Sequence, residues 1–249
     1  LKQLRWYSFI HMQKRVARTL SRILTVSQCA REDIRNDFGI PRERFRIVPN
    51  GINTSIFHPR PDVPRENNRI IVTNSADTPL KGLAYLLEAV AALRSRRPVQ
   101  LVVIGQPKPN GPIERLVRKL DLADHVTFTG RISDAAFVRQ YARASMAVVP
   151  SVYEGFGLPA GEAMACGVPV ITTTGGALPE VVGDAGILVP PRDSAALVAA
   201  IEDLLDHPDK AAAMGQQGYQ RVQAHFTWQR AAEKTIAVYR EVIDDHRRP

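Results

Sequence analysis

Cysteine is nearly absent from these 249 residues: Cys29 and Cys166 lie in different halves, with no metal-ligand spacing and no partner histidine pattern. That count excludes a disulfide scaffold and a Cys/His zinc site, and the two thiols read as reduced and structural. Aromatic residues are also scarce, at 6%, and no basic cluster is interleaved with base-stacking rings, so nucleic acid is not an expected partner. No apolar run is long enough to span a bilayer, and no apolar core precedes a small-residue cleavage site near the start, so the expected location is cytoplasmic. The first residue is leucine, not methionine, which points to a chain processed or cut from something longer. With 45% hydrophobic residues, the chain can bury one large core or two modest ones.

Acidic residues are under-represented at the start. Residues 1–60 carry 12 Lys and Arg against 4 Asp and Glu, while the remainder carries 21 of each, so the whole net charge of +8 belongs to the opening segment. There Lys2, Arg5, Lys14, Arg15, Arg18 and Arg22 alternate with Leu4, Trp6, Phe9, Ile10, Met12, Val16 and Leu20. The plainer reading is a helix whose apolar side is core and whose basic side is solvated; an anionic membrane surface, with a peripheral position at the inner face, is the alternative.

What the chain does contain is a regular alternation of strand and helix patterns. Arg22–Ser27 reads as a strand, followed by a helix over about 29–38 that Ser27 caps and Gly39 ends, then a short strand at 45–48. Asn50-Gly51 marks a turn, and Pro59, Pro61 and Pro64 punctuate a linker. From Arg69 onward, apolar runs at 70–73, 100–104, 126–129, 146–149, 168–172 and 186–189 predict strands. Helical periodicity predicts helices at 83–94, 113–120, 134–144, from Pro159, and at about 193–206, 209–225 and 228–245. Strands this apolar, separated by helices, call for a parallel sheet covered on both faces: an α/β, doubly wound, Rossmann-like fold with a partial second α/β segment at the N-terminus.

In such sheets ligands bind beyond the carboxyl ends of the strands, so the strand-to-helix loops hold the candidate sites. Lys81, at the end of the first loop and the start of a helix, stands where a cation is unfavourable unless an anion is present; it is a phosphate candidate, or simply a solvated charge. Gly130-Arg131-Ile132-Ser133 offers backbone to the edge of a base, though Ser133 also reads as a helix cap. The third loop is the most informative: Glu154-Gly155-Phe156-Gly157-Leu158-Pro159-Ala160-Gly161-Glu162 is a glycine turn opening a helix at Pro159, a cradle for phosphate flanked by two carboxylates. One carboxylate in the first turns of a helix can bind adjacent ribose hydroxyls, and one at the loop's start can hold a substrate hydroxyl; compensation of its own helix dipole is the plainer reading of Glu162. Gly175-Gly176, ahead of Glu180, forms a second phosphate or sugar cradle, or a tight turn. The spacing of Gly155, Gly157 and Gly161 has a loose likeness to a dinucleotide-binding turn, but the next strand ends in Thr172-Thr173-Thr174 where that motif expects an acidic residue.

The run from Glu154 to Glu162 with its continuation Ala-Met-Ala-Cys-Gly-Val-Pro-Val-Ile, and Thr-Gly-Gly-Ala-Leu-Pro-Glu180, resembles the donor-binding half of the retaining glycosyltransferases of family four, which have the two-domain GT-B fold. Leu24-Thr-Val-Ser27, Arg46 to Ile52 and Lys81-Gly82 fall where that family has its own segments. The resemblance implies that Glu162 binds the donor ribose, that Glu154 contacts the transferred sugar, and that Lys81 neutralises the diphosphate. It also places backbone near Arg131 and Ile132 against the base, with no metal and no cofactor beyond the nucleotide-sugar donor itself.

One departure is Ser75, six residues before Lys81, where members commonly place an arginine for the distal phosphate. The implied division is the end of an acceptor-side unit at 1–52, a linker at 53–68, a nucleotide-sugar-binding unit at 69–227 and a closing helix at 228–249 that crosses back. Much of the acceptor domain is then missing, and the acceptor, whether glycan, lipid or small molecule, is unassigned. A nucleotide-sugar 2-epimerase of the same fold and a non-catalytic nucleotide-binding or membrane-docking module are the competing expectations.

Overall fold

A computed structural model describes residues 2–73 and 78–247, with side chains from residue 9 onward. Helix α1 (Lys2–Ala17) leads to strand β1 (Ile23–Thr25), helix α2 (Gln28–Phe38) and strand β2 (Phe45–Ile47). The two strands pair in parallel, Leu24 opposite Arg46. Ser27 caps α2 as expected, its hydroxyl accepting the Ala30 N–H, and Gly39 ends it in the left-handed region at φ 65°.

The larger unit contains β3 (Arg69–Thr73), α3 (Leu83–Arg94), β4 (Gln100–Ile104), α4 (Pro112–Lys119), β5 (Val126–Phe128), α5 (Asp134–Arg143) and β6 (Met146–Val149). It continues with α6 (Leu158–Ala165), β7 (Val170–Thr173), α7 (Leu178–Val182), β8 (Ile187–Val189), α8 (Ser194–Asp206), α9 (Pro208–His225) and α10 (Trp228–Arg247). All pairings in its six-stranded sheet are parallel, in the order β5-β4-β3-β6-β7-β8. The order reverses direction between β3 and β6, and the crevice at the carboxyl ends of those two strands is where a doubly wound sheet binds its ligand.

Alternation along each strand divides the core into two layers. Ile70 and Val72 face one cluster with Leu83, Leu86, Leu87, Val90 and Leu93 of α3 and the apolar side of α8. Ile71 faces the other, with Val138 and Tyr141 of α5 and the small residues of α6. The α3 leucines are at most 1% exposed, so each contributes roughly 2 kcal/mol of burial. That stripe decides where α3 lies, and with it where Lys81, just ahead of it, must stand.

Most element boundaries shift by a residue or two from the sequence reading, and three differences bear on the site. The strand expected over 168–172 runs Val170–Thr173, because Pro169 has no N–H for the ladder; its carbonyl still accepts Ala147 N–H at 2.9 Å. Helix α6 opens at Leu158, which puts Pro159 second, not first. The segment read as a linker, 53–68, also contributes to the core: Phe57 is 9% exposed and packs edge-on to Phe137 and Tyr141 at 5.6 and 6.3 Å.

Helix α10 returns to the first strands. Arg22 reaches Glu241 at 2.8 Å and Asp245 at 2.7 Å, and Arg46 also binds Glu241. Beside it the chain crosses itself, with Ile52 N–H donating to Phe226 carbonyl at 2.6 Å. No helix among the described residues is long and apolar enough to cross a membrane.

Candidate active site

The loop after β3 reaches the switch point through a 3₁₀ turn, Pro79–Lys81, closed by Gly82 in the left-handed region at φ 69°. A Cβ on Gly82 would lie 1.9 Å from the carbonyl oxygen of Pro150, so only glycine permits this approach. The neighbouring Val152 N–H donates to Leu80 carbonyl at 2.8 Å. Two loops far apart in sequence are thereby locked edge to edge.

That lock brings Lys81 to Glu154. The lysine Nζ lies 2.7 Å from Glu154 Oε1, with side-chain exposures of 31% and 12%. Ser151 Oγ donates to the same oxygen at 2.8 Å. The carboxylate at the loop's start and the lysine of the first loop are thus partners, a pairing that spacing alone did not suggest.

The fourth loop packs beneath. Gly176, at φ 68°, would place a Cβ 2.2 Å from Glu154 carbonyl, and Ala177 N–H donates to that same carbonyl at 2.8 Å. Thr173 Oγ1 donates to Ser151 carbonyl and accepts Gly175 N–H. Gly175 and Gly176 are therefore structural supports of the Glu154 loop. Gly155 is different: nothing lies within 4 Å of a Cβ built on it, so its surface is open to a ligand.

Gly157 turns the chain into α6 at φ 110° with no side-chain cap; Pro159 has no N–H and Ala160 N–H donates to the Gly157 carbonyl at 3.1 Å, so in the first turn it is the Leu158 N–H that is left for an anion. Leu158 is exposed beside it, whereas Phe156 is buried, edge-on to Phe226 at 5.8 Å. Phe156 anchors the loop from below.

Glu162 projects from the second turn of α6, and its carboxylate has no hydrogen-bond or ion-pair partner among the described residues. Burial pushes its pKa from 4.5 up to about 7. An unpaired, partly buried carboxylate with a raised pKa is a candidate binding group. Beneath it, the buried Tyr141 hydroxyl sits 3.1 Å from Thr73 Oγ1 and 3.3 Å from Pro159 carbonyl.

In the Gly130 loop, Arg131 is exposed and Ile132 is half-buried against the second core layer. Ser133 does cap α5, accepting Ala136 N–H at 3.3 Å. Ser75 lies outside the described residues. No three His, Cys, Asp or Glu side chains among the described residues are grouped to hold a metal ion. A cavity of about 670 Å³ sits at the opposite, amino end of the sheet beside Asn68, Ser145 and Pro169, away from all these loops.

The sequence reading gave no role to Ser151, Thr173 or Glu180. Glu180 receives the N–H groups of Gln28 and Cys29 at 2.7 and 2.8 Å, at the start of α2. Ser27 Oγ donates to Gly155 carbonyl at 2.8 Å, and the Tyr153 hydroxyl binds Asp33. Three contacts from site loops thus converge on one helix of the opening segment. Only Ser27 left a trace in the sequence, as a cap.

The profile of the family described as Glycosyl transferases group 1 matches residues 56–221, and that of Glycosyltransferase Family 4 matches residues 1–56. The chain belongs to the group 1 glycosyltransferases. It is 45% identical over 242 residues to the MMP α-(1→4)-mannosyltransferase of Mycolicibacterium hassiacum, covering 96% of this chain and 58% of that protein. It is 30% identical over 261 residues to the D-inositol 3-phosphate glycosyltransferase of Kineococcus radiotolerans, covering 94% of this chain and 60% of that one. The sucrose-phosphate synthase of Thermosynechococcus elongatus superposes with a TM-score of 0.84 at 32% identity, over 96% of this chain and 62% of the other. The chain thus spans about 60% of the length of these glycosyltransferases, and its parallel sheet is that of the GT-B fold.

Proposed function

We propose that this chain supplies the nucleotide-sugar-binding half of a retaining glycosyltransferase. The observation that carries the reading is the meeting of Lys81 with Glu154 at the switch point, next to the uncapped start of α6 and the unpaired carboxylate of Glu162. In this reading Glu162 accepts hydrogen bonds from two ribose hydroxyls, Lys81 and the α6 N-terminus stabilise the diphosphate as the glycosidic bond breaks, and Glu154 orients the transferred sugar. The positive potential comes from protein groups, so the reading calls for no metal. Backbone near Arg131 and Ile132 meets the base.

The sugar is proposed to be a hexose. Mannose is favoured, since the relative at 45% identity is named a mannosyltransferase. Attack by the acceptor on the face the diphosphate leaves, with the leaving phosphate taking the proton, gives retention and needs no nucleophile and base pair from this half.

Residues 1–52 are assigned to the end of an acceptor-side unit and 69–227 to the donor unit. A groove between α1 and α2, lined by Phe9, Met12, Val16, Leu20, Ile34 and Phe38, is assigned to contact with further acceptor-side residues of the kind the longer relatives contain. The 249-residue chain alone is then expected to bind nucleotide and to transfer sugar poorly. A thermal-shift panel of UDP, GDP, ADP and their sugars tests this, because a ligand that binds only the folded state raises its stability. A flat response to all of them would overturn it.

A further inference from the structure

Five polar residues are buried among those described: Thr25, Ser27, Ser151, Thr172 and Thr173. Three of the five serve one loop. Ser27 holds Gly155 carbonyl, Thr173 holds Ser151 carbonyl, and Ser151, itself 2% exposed, gives its hydroxyl to Glu154 Oε1 at 2.8 Å. A buried hydroxyl costs stability unless hydrogen-bonded, so each of these bonds is obligatory and the loop is fixed at both ends.

Glu154 Oε1 accepts from Ser151 and from Lys81 at once, while no described residue hydrogen-bonds Oε2. On the donor-site reading above, on which this inference rests, a diphosphate competes with Glu154 for the lysine. Once the lysine turns to phosphate, the hydroxyl is the donor that keeps the carboxylate in place. We propose that Ser151 is a positioning residue that holds Glu154 on the transferred sugar when Lys81 engages the diphosphate.

A purely structural serine would affect every ligand alike; a positioning serine affects only ligands that carry the sugar, and only through Glu154. The test is a double-mutant cycle on the full chain: wild type, Ser151→Ala, Glu154→Gln and the double variant. Affinities for GDP and GDP-mannose, and for UDP and UDP-glucose, are read by titration calorimetry, with urea unfolding as a check on folding. Ser151→Ala is expected to weaken the nucleotide sugar about tenfold, a factor typical of a hydrogen bond to a charged group. The bare diphosphate should stay within about threefold, and the double variant should match Glu154→Gln. Ser151→Cys, close in size but a weak donor, should give the same pattern and replaces Ser151→Ala if that variant folds poorly. Equal losses for sugar and bare diphosphate, or a loss that persists in the Glu154→Gln background, would overturn the role. Absence of any binding by the wild type would instead overturn the donor reading, and this inference with it.

Discussion

Lys81 Nζ lies 2.7 Å from Glu154 Oε1 although the two residues are 73 positions apart. They belong to different loops, at the carboxyl ends of the two strands between which the sheet reverses order. On the proposed donor-site reading, a diphosphate entering this site takes the lysine from the carboxylate. Glu154→Gln is therefore expected to raise affinity for bare nucleoside diphosphate a few-fold while lowering sugar transfer in any assembly that completes the site. Lys81→Ala should reduce diphosphate affinity by about 10- to 100-fold, as loss of a charged hydrogen bond commonly does. Calorimetry measures both, and unchanged binding by Lys81→Ala would remove the lysine from the site.

If Glu162 binds the ribose as proposed, nucleotide binding is expected to depend on pH. Its folded-state pKa of about 7 lies above the ordinary 4.5, so the native protein holds this proton more tightly than the unfolded chain does. Stability consequently falls as pH rises from about 4.5 to 7 and levels off above 7. Because the carboxyl is partly accessible, the cost is set at about 1–3 kcal/mol. Glu162→Gln should flatten this part of the pH–stability curve and stabilise the unliganded chain at pH 8. The ionised carboxylate is the stronger acceptor for the proposed ribose hydroxyls, so wild-type affinity for a nucleotide should climb as pH passes through 7, with protons released on binding below that pH. A pH-independent affinity between 5.5 and 8 would contradict the assignment.

Two glycines separate stability from binding. Gly82→Ala puts a methyl 1.9 Å from Pro150 carbonyl at φ 69° and should cost more than about 3 kcal/mol in urea unfolding. Gly155→Ala meets nothing within 4 Å and should leave unfolding within about 1 kcal/mol of wild type, yet weaken nucleotide-sugar binding because its methyl enters the space assigned to the donor. Equal stability of the two variants would refute the packing argument.

Glu180 ties the fourth loop to the opening segment through the first N–H groups of α2. Glu180→Ala should cost about 1–3 kcal/mol, with Glu180→Gln between it and wild type, since a carboxylate accepting two backbone donors is replaced by a weaker acceptor or none. Hydrogen exchange at the Gln28 and Cys29 amides should accelerate in both variants. Protection equal to wild type would show that the contact is not maintained in solution.

Periodicity, turn residues and the glycine-rich run around Glu154 and Glu162 determined on their own that the chain is α/β with a parallel sheet, roughly where its elements lie, and which loops are the candidate site. Those features are local: a helix stripe, a strand run or a capping serine such as Ser27 or Ser133 is written within a few residues. The tertiary structure alone decided that Lys81 meets Glu154, that Ser151 and Thr173 stand behind that pair, that Glu180 caps α2, and that Phe57 packs into the core. Each of these depends on strand order and on backbone approaching backbone at Gly82 and Gly176. Strand order is set by how two apolar layers close over the whole sheet, and no window of sequence contains that information.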